Sequence, residues 1–321
     1  MTTLARSREI SCRVWRIVAL AVDVAALAAA TSGLARAADE RPATRVVVRC
    51  DDVGMCHSVN RAIVQVIQTG IPFSASVMVP CPWFAEAAAI LARHPEVSVG
   101  VHLTLNSEWE HYRWGPVLGR TRVPTLVDAG GYFLPSEEAF AARSPDLGEV
   151  EAELRAQIDR ALAAGLKVDY LDAHMQTAYS TAALRALVER LARDYKLGIA
   201  TYFGERSASL WDVEPEAKLA ALLAFVRGAP AGLNLLVAHL GRDDPEMSAL
   251  VDLNNAADPF RVARHRQAEL DALTSPAFRQ AIAAASAELR SYREVIARAG
   301  LAAMARPEQD TGYGVDLTTQ Q

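Results

Sequence analysis

Short apolar runs alternate with helical patterns along nearly the whole chain, and that alternation leaves few folds open. Val46–Cys50, Ser74–Val79, Val97–Leu105, Val168–Ala173, Gly198–Phe203 and Leu233–Ala238 read as strands. Between them, Ser58–Thr69, Phe84–Arg93, Leu147–Ala164, Thr181–Asp194 and Pro215–Val226 carry apolar residues at helical spacing, and Arg264–Leu273 and Pro276–Ala299 follow. Continuous β-branched runs, as opposed to alternating ones, mark strands buried on both faces. Strand–helix alternation joins such strands in parallel by right-handed crossovers. Six units without a linker point to one α/β domain, a single TIM-like (β/α) barrel that is regular or distorted, and not to two domains. Asn106–Leu147 breaks the rhythm as a long excursion after the third strand, rich in aromatic residues. Loops of that length are functional lids and binding loops, or else disordered, and the aromatics favour the ordered option.

The chain is organised around Arg45–Val59, RVVVRCDDVGMCHSV. A buried strand ends there in two adjacent carboxylates, Asp51 and Asp52, and turns through Gly54 into a helix. In α/β folds the carboxyl ends of parallel strands form one mouth, where chemistry collects. Three further polar residues recur at that place: His102 near the end of the third strand, His174 after the fourth and His239 after the sixth. Asp172 lies two residues before His174, on the same face of its strand.

Taken singly, each of these residues has an ordinary structural role: an acid pair caps a turn, and a lone histidine is satisfied in a core. Together they are hard to assign to packing. One carboxylate and two imidazoles make a divalent-metal site with open positions for water and substrate. Adjacent aspartates can divide the labour, one ligating and the other facing the water, with His239 placed as an acid opposite. His57, His94, His111 and His265 have no such placement and read as structural or surface residues.

The first 37 residues read as an export signal. Arg6, Arg8, Arg13 and Arg16 precede the largely apolar Ile17–Ala30, and Ala35-Arg36-Ala37 fits a small-x-small cleavage pattern. The expected organisation is a signal over 1–37, a catalytic domain over 38–300 and a tail over 301–321. The mature chain would then be periplasmic or secreted, with no stable membrane span. Cys50, Cys56 and Cys81 remain; they form no CxxC pair and read as buried thiols, at most two of them bridged. A net charge of −5 gives no footprint for nucleic acid.

At these motifs the sequence resembles the YdjC-like carbohydrate deacetylases. The family's acid-pair motif corresponds to Cys50-Asp51-Asp52-Val53-Gly54, followed by Val59-Asn60-Arg61-Ala62-Ile63. Its later motifs correspond to Gly100-Val101-His102-Leu103-Thr104-Leu105, Asp172-Ala173-His174 and His239-Leu240-Gly241. The resemblance implies a (β/α) barrel that removes N-acetyl groups from amino sugars with a divalent metal. By position it implies Asp52, His102 and His174 as ligands, Asp51 as general base and His239 as general acid. The ligand set favours Zn²⁺ and admits Mg²⁺, Mn²⁺ or Co²⁺. Gln176 stands where many members carry a second histidine, and Leu240 where they carry proline.

The expected partner is an N-acetylated sugar, oligosaccharide or glycolipid, with Trp109 and Tyr132 as candidate substrate-binding aromatics; homo-oligomerisation is left open. Two other readings compete. One is a metal-dependent esterase or amidohydrolase on another acyl substrate. The other is a carbohydrate-binding protein in which Trp109, Tyr112, Trp114 and Tyr132 stack on sugar faces.

Overall fold

A computed structural model describes residues 43–307 and Leu317. The proposed signal lies outside the described residues, as does most of the proposed tail. Eight strands form one sheet: β1 (Thr44–Val53), β2 (Ser74–Val77), β3 (Ser98–Leu103), β4 (Val168–Ala173), β5 (Gly198–Ile199), β6 (Arg206–Ser209), β7 (Gly232–His239) and β8 (Glu288–Arg290). Nine helices accompany them among the described residues: α1 (His57–Thr69), α2 (Phe84–Ala92), α3 (Glu137–Ala142), α4 (Leu147–Ala163), α5 (Ala182–Tyr195), α6 (Lys218–Gly228), α7 (Val262–Thr274), α8 (Pro276–Ala284) and α9 (Tyr292–Ala299).

All strand pairings are parallel, in the order β5-β4-β3-β2-β1-β7-β6. A closed TIM-like barrel is not what forms. Among the described residues β5 and β6 make no ladder with each other, so the sheet curls into a distorted, open barrel. The physical reason lies in β5, which spans only Gly198–Ile199 before the chain turns at Thr201, with φ of 72°. The segment expected as one strand over Gly198–Phe203 is therefore two residues of strand and a turn. The pairing is resumed by β6, in a stretch read from sequence as loop. The second element missed is β8, which pairs with Arg45–Val47 of β1 inside what the sequence suggested was one helix from Pro276 to Ala299.

The period-two alternation of β1 explains the layering. Val46, Val48 and Cys50 pack into the large cluster under the surrounding helices. Val47 packs instead with Tyr170, Leu235, Val237 and Tyr292 inside the barrel. Gly100 is required there: a Cβ at that position would sit 2.3 Å from the Tyr170 ring. At the amino end of the strands α9 plugs the barrel, its Tyr292 ring 4.5 Å from that of Tyr170.

The segment from Thr104 to Asp146 is well packed. Trp114, Val123, Leu126, Val127, Phe133 and Phe140 are buried in it. Glu153 of α4 accepts from the backbone N–H groups of Val117 and Leu118, at 2.9 and 3.0 Å. Beyond α9, Ala305 N–H donates to Tyr202 at 2.9 Å and Leu317 is buried in the core, so the chain after Gly300 is not wholly a free tail. Among the described residues no helix is long and apolar enough to cross a membrane.

Candidate active site

The inward-facing rows of the strands change from apolar to polar toward their carboxyl ends. In β1 the row runs Val47, Arg49, Asp51; in β4 and the turn after it, Tyr170, Asp172, His174; in β7, Leu235, Val237, His239. Ladder register then fixes the neighbours. Asp51 is opposite His239 across β1–β7, and His102 is opposite Asp172 across β3–β4.

Strict alternation would turn Asp52 outward with Cys50. A register irregularity between Cys50 and Val53 and a φ of 63° at Asp52 bring it inward instead. A left-handed backbone at a residue with a Cβ costs on the order of 1–2 kcal/mol. Here it places the carboxylate between two imidazoles. Asp52 Oδ1 lies 3.4 Å from His102 Nε2 and 3.3 Å from His174 Nδ1.

These three residues fit a divalent cation. One donor atom from each lies within 4.8 Å of the others, and all three residues are buried. Asp52 Oδ1 makes no aligned hydrogen bond despite its burial, which is costly unless a ligand completes it. The outer nitrogens face carboxylates. His102 Nδ1 is 3.1 Å from Asp172 Oδ1, and His174 Nε2 is 3.0 Å from Glu108 Oε2. Carboxylates behind ligating imidazoles fix ring orientation and tautomer.

Electrostatics follow from this crowding. Burial alone would raise the Asp52 pKa, but Arg266 and the two imidazoles hold it well below the usual carboxylate range. Burial would lower His102, yet Asp172 and Asp51 bring it up to about 10. Likewise Glu108 and Asp52 overcome burial and lift His174 to about 9. His239 has no comparable partner, and burial pushes it down to about 4.

Asp51 is held from below. Arg49 Nε and Nη2 each donate to one of its carboxylate oxygens at 2.7 Å, and the same Nε is 3.0 Å from Asp172 Oδ2. Each Asp51 oxygen retains a further acceptor direction. His239 N–H donates to Glu269 Oε2 at 2.7 Å, its ring meets Trp211 edge-on at 5.3 Å, and its Nδ1 has no protein partner.

A cavity of about 350 Å³ opens over this cluster. Asp51, Asp52, His102, His174, His239 and Trp109 all reach its wall, so six of the seven site residues expected from sequence are brought together. Tyr132 is not among the residues of that wall. Tyr132 is 42% exposed, and the Arg113 guanidinium lies over its ring at 5.3 Å. Trp114 and Tyr112 hold the excursion in place, donating to the carbonyl oxygens of Asn106 and Met55 at 2.7 Å each. His57, His94 and His111 lie away from the wall, and His265 is buried against Trp211.

Sequence reasoning missed Glu108, Trp211 and above all Arg266. Arg266 sits on α7 in the stripe of Val262, Ala263, Leu270 and Leu273 that faces the core. A charged residue inside an apolar helical stripe was the available signal. Gln176 reaches the wall from a turn where Met175 and Gln176 have φ of 49° and 58°. Cys50, Cys56 and Cys81 are all free and buried.

The fold and the site define an open α/β barrel whose strand ends hold a buried carboxylate–imidazole centre. Comparison places it more narrowly. The sequence model described as YdjC-like protein matches residues 45–284, and the chain belongs to that family. A protein of Thermus thermophilus named carbohydrate deacetylase is 32% identical over 267 residues, covering 74% of this chain and 94% of its own. A carbohydrate deacetylase of Brevibacillus brevis is 33% identical over 155 residues, 48% of this chain and 58% of its own. The chain thus spans a little over half the length of several of the curated relatives it matches. A crystal structure from Enterococcus faecalis, described as a putative cellobiose-phosphate cleavage protein, shares the fold, with a TM-score of 0.66 at 24% identity, covering 79% of this chain and 99% of that one.

Proposed function

We propose that this protein is an exported, metal-dependent hydrolase that removes N-acetyl groups from an amino sugar, oligosaccharide or glycolipid. The observation that carries the reading is the convergence of Asp52, His102 and His174 in one wall of the cavity, with Asp51 and His239 opposite each other beside them. The names of the curated relatives support the acyl chemistry. The export signal rests on residues 1–37 of the sequence.

Asp52 and the two imidazoles would hold a divalent ion, Zn²⁺ by donor type, which when bound polarises an acyl carbonyl and acidifies water. Asp51, fixed by Arg49, takes the proton of the attacking water. His239 enters turnover as a neutral imidazole at neutral pH, so the proton it delivers to the departing nitrogen must be taken up during the reaction. Amide hydrolysis needs that delivery, because an unprotonated amine leaves poorly. Trp109 and Trp211 on the cavity wall supply apolar faces for a sugar ring.

The test is acetate release from a panel of N-acetylglucosamine oligosaccharides by the mature protein and by Asp51→Asn, with and without chelator. Release that chelator abolishes and the variant lacks supports the reading. No release from a metal-loaded protein redirects it to another acyl substrate. No release and no bound metal removes the hydrolase and leaves a binding protein.

A further inference from the structure

Arg266 is 2% exposed, yet it reaches the wall of the catalytic cavity. Its Nη2 donates to Asp52 Oδ2, and its guanidinium lies 5.9 Å from the ring centroid of Trp109 and 5.6 Å from that of Trp211. Two of its nitrogens, Nε and Nη1, are buried with no partner. Leaving charged donors buried and unpaired costs several kcal/mol in a fold, and such groups call for a ligand. The two indoles and the Asp52 ion pair keep the guanidinium from turning away to find water.

The charge of the cavity sharpens the point. Asp51, Asp52, Glu108, Asp212 and Asp252 all reach its wall, and Arg266 is the one permanently cationic side chain among the wall residues. Beside the ion that Asp52, His102 and His174 would hold, Arg266 is the side chain that can meet negative charge developing on a substrate oxygen here. We propose that Arg266 is a further catalytic residue, whose unpartnered N–H groups donate to the acyl oxygen of the substrate. The inference rests on the acyl-transfer reading above. As water adds to the acyl carbon, the carbonyl π pair moves onto that oxygen and Asp51 accepts the water proton. The C–N bond then breaks as the pair returns to re-form the carbonyl, and the nitrogen leaves with the proton taken from the water, passed from Asp51 through His239. The guanidinium is pre-placed for the charged stage and needs no reorganisation, which is where such donors contribute most.

A positioning role alone is the competing account: Arg266 would then only aim Asp52. The experiment compares wild type, Arg266→Lys and Arg266→Met, each checked for fold by circular dichroism and for metal content and affinity by chelator competition. Two functional readouts follow, acetate release at saturating metal and binding of acetate, the probe that carries an acyl oxygen, by calorimetry. The expected result is a kcat about 100-fold lower in both variants at full metal occupancy. Acetate should bind at least 10-fold more weakly to both, with lysine failing to rescue because it lacks the fork of donors.

Variants that regain wild-type kcat once metal is saturating, or that bind acetate as wild type does, overturn the inference and leave Arg266 as a positioning residue. Should wild type release no acetate from any sugar, the substrate reading fails alone. Acetate binding then still decides the role of Arg266, since weakened binding in both variants supports it and unchanged binding overturns it.

Discussion

His102 and Asp172 are cross-strand partners in the β3–β4 ladder, and their side chains meet with His102 Nδ1 3.1 Å from Asp172 Oδ1. The backbone register, and not a loop, thus sets how this imidazole presents Nε2 to Asp52. Asp172 also accepts from Ser76 Oγ at 2.8 Å and lies 3.0 Å from Arg49 Nε, so the orienting carboxylate is itself fixed on two further strands.

Replacing Asp172 with Asn should leave the ladder intact and weaken metal binding by about 10–100-fold. Chelator competition on the purified variant reads this directly. An unchanged affinity would mean that the contact with Asp172 does not orient the ligand.

The imidazoles also set a pH dependence. Burial opposes charge on both, but neighbouring carboxylates raise His102 to about 10 and His174 to about 9 in the metal-free site. A raised pKa in the folded state gives stability that is fully present below the unfolded value of about 6.5 and lost as pH climbs through the folded value. The urea midpoint of metal-free protein should therefore fall between pH 7 and 10. Metal needs neutral imidazoles, so loading at pH 7 should release protons, seen as a buffer-dependent calorimetric heat. A flat metal-free midpoint over that range, or proton-neutral loading, would contradict the assignment.

Much of this site was legible because the sheet is parallel. Once Val46–Cys50, Val97–Leu105, Val168–Ala173 and Leu233–Ala238 are read as strands of one direction, Asp51, His102, His174 and His239 must share a mouth. What stayed hidden depends on geometry without a sequence signature. The turn of Asp52 into the site needs a φ of 63°, and nothing in CDDVG announces it. Strands β6 and β8, of four and three residues, are too short to carry a period and form because β7 and β1 offer them edges. Tyr132 looked like a sugar platform by residue type, but its position follows from the Asp128–Tyr132 turn, outside the cavity wall.

Helix α1 shows the same dependence on distant partners. Its N-cap residue, Cys56, makes no side-chain cap. Glu246, from the loop after β7, takes that role: its Oε2 accepts from Ser58 N–H at 2.7 Å, and its Oε1 from His57 N–H at 3.4 Å. Glu246→Ala should cost about 1 kcal/mol, seen as a lower urea midpoint with an unchanged slope. Glu246→Gln keeps an acceptor and should lose less. Equal losses in the two variants would show that the carboxylate charge, and not the cap, matters.

The last expectation concerns a buried ion pair behind His239. Lys218 Nζ and Glu269 Oε1 are 2.8 Å apart with both side chains fully buried. Burial pushes the Lys218 pKa down and the Glu269 pKa up, each opposed by its partner's charge. Lys218 also donates to the carbonyl of Leu210 at 2.6 Å, and Glu269 accepts from His239 N–H at 2.7 Å. The pair therefore ties the loop of Trp211 to the strand end of His239. Lys218→Met strands a buried carboxylate and should cost about 3–5 kcal/mol. The double variant Lys218→Met, Glu269→Met removes both charges and should recover much of that loss in the urea midpoint. Activity should not recover with it, because His239 N–H and the Leu210 carbonyl have both lost their partners. A double variant as active as wild type would show that His239 is held without them.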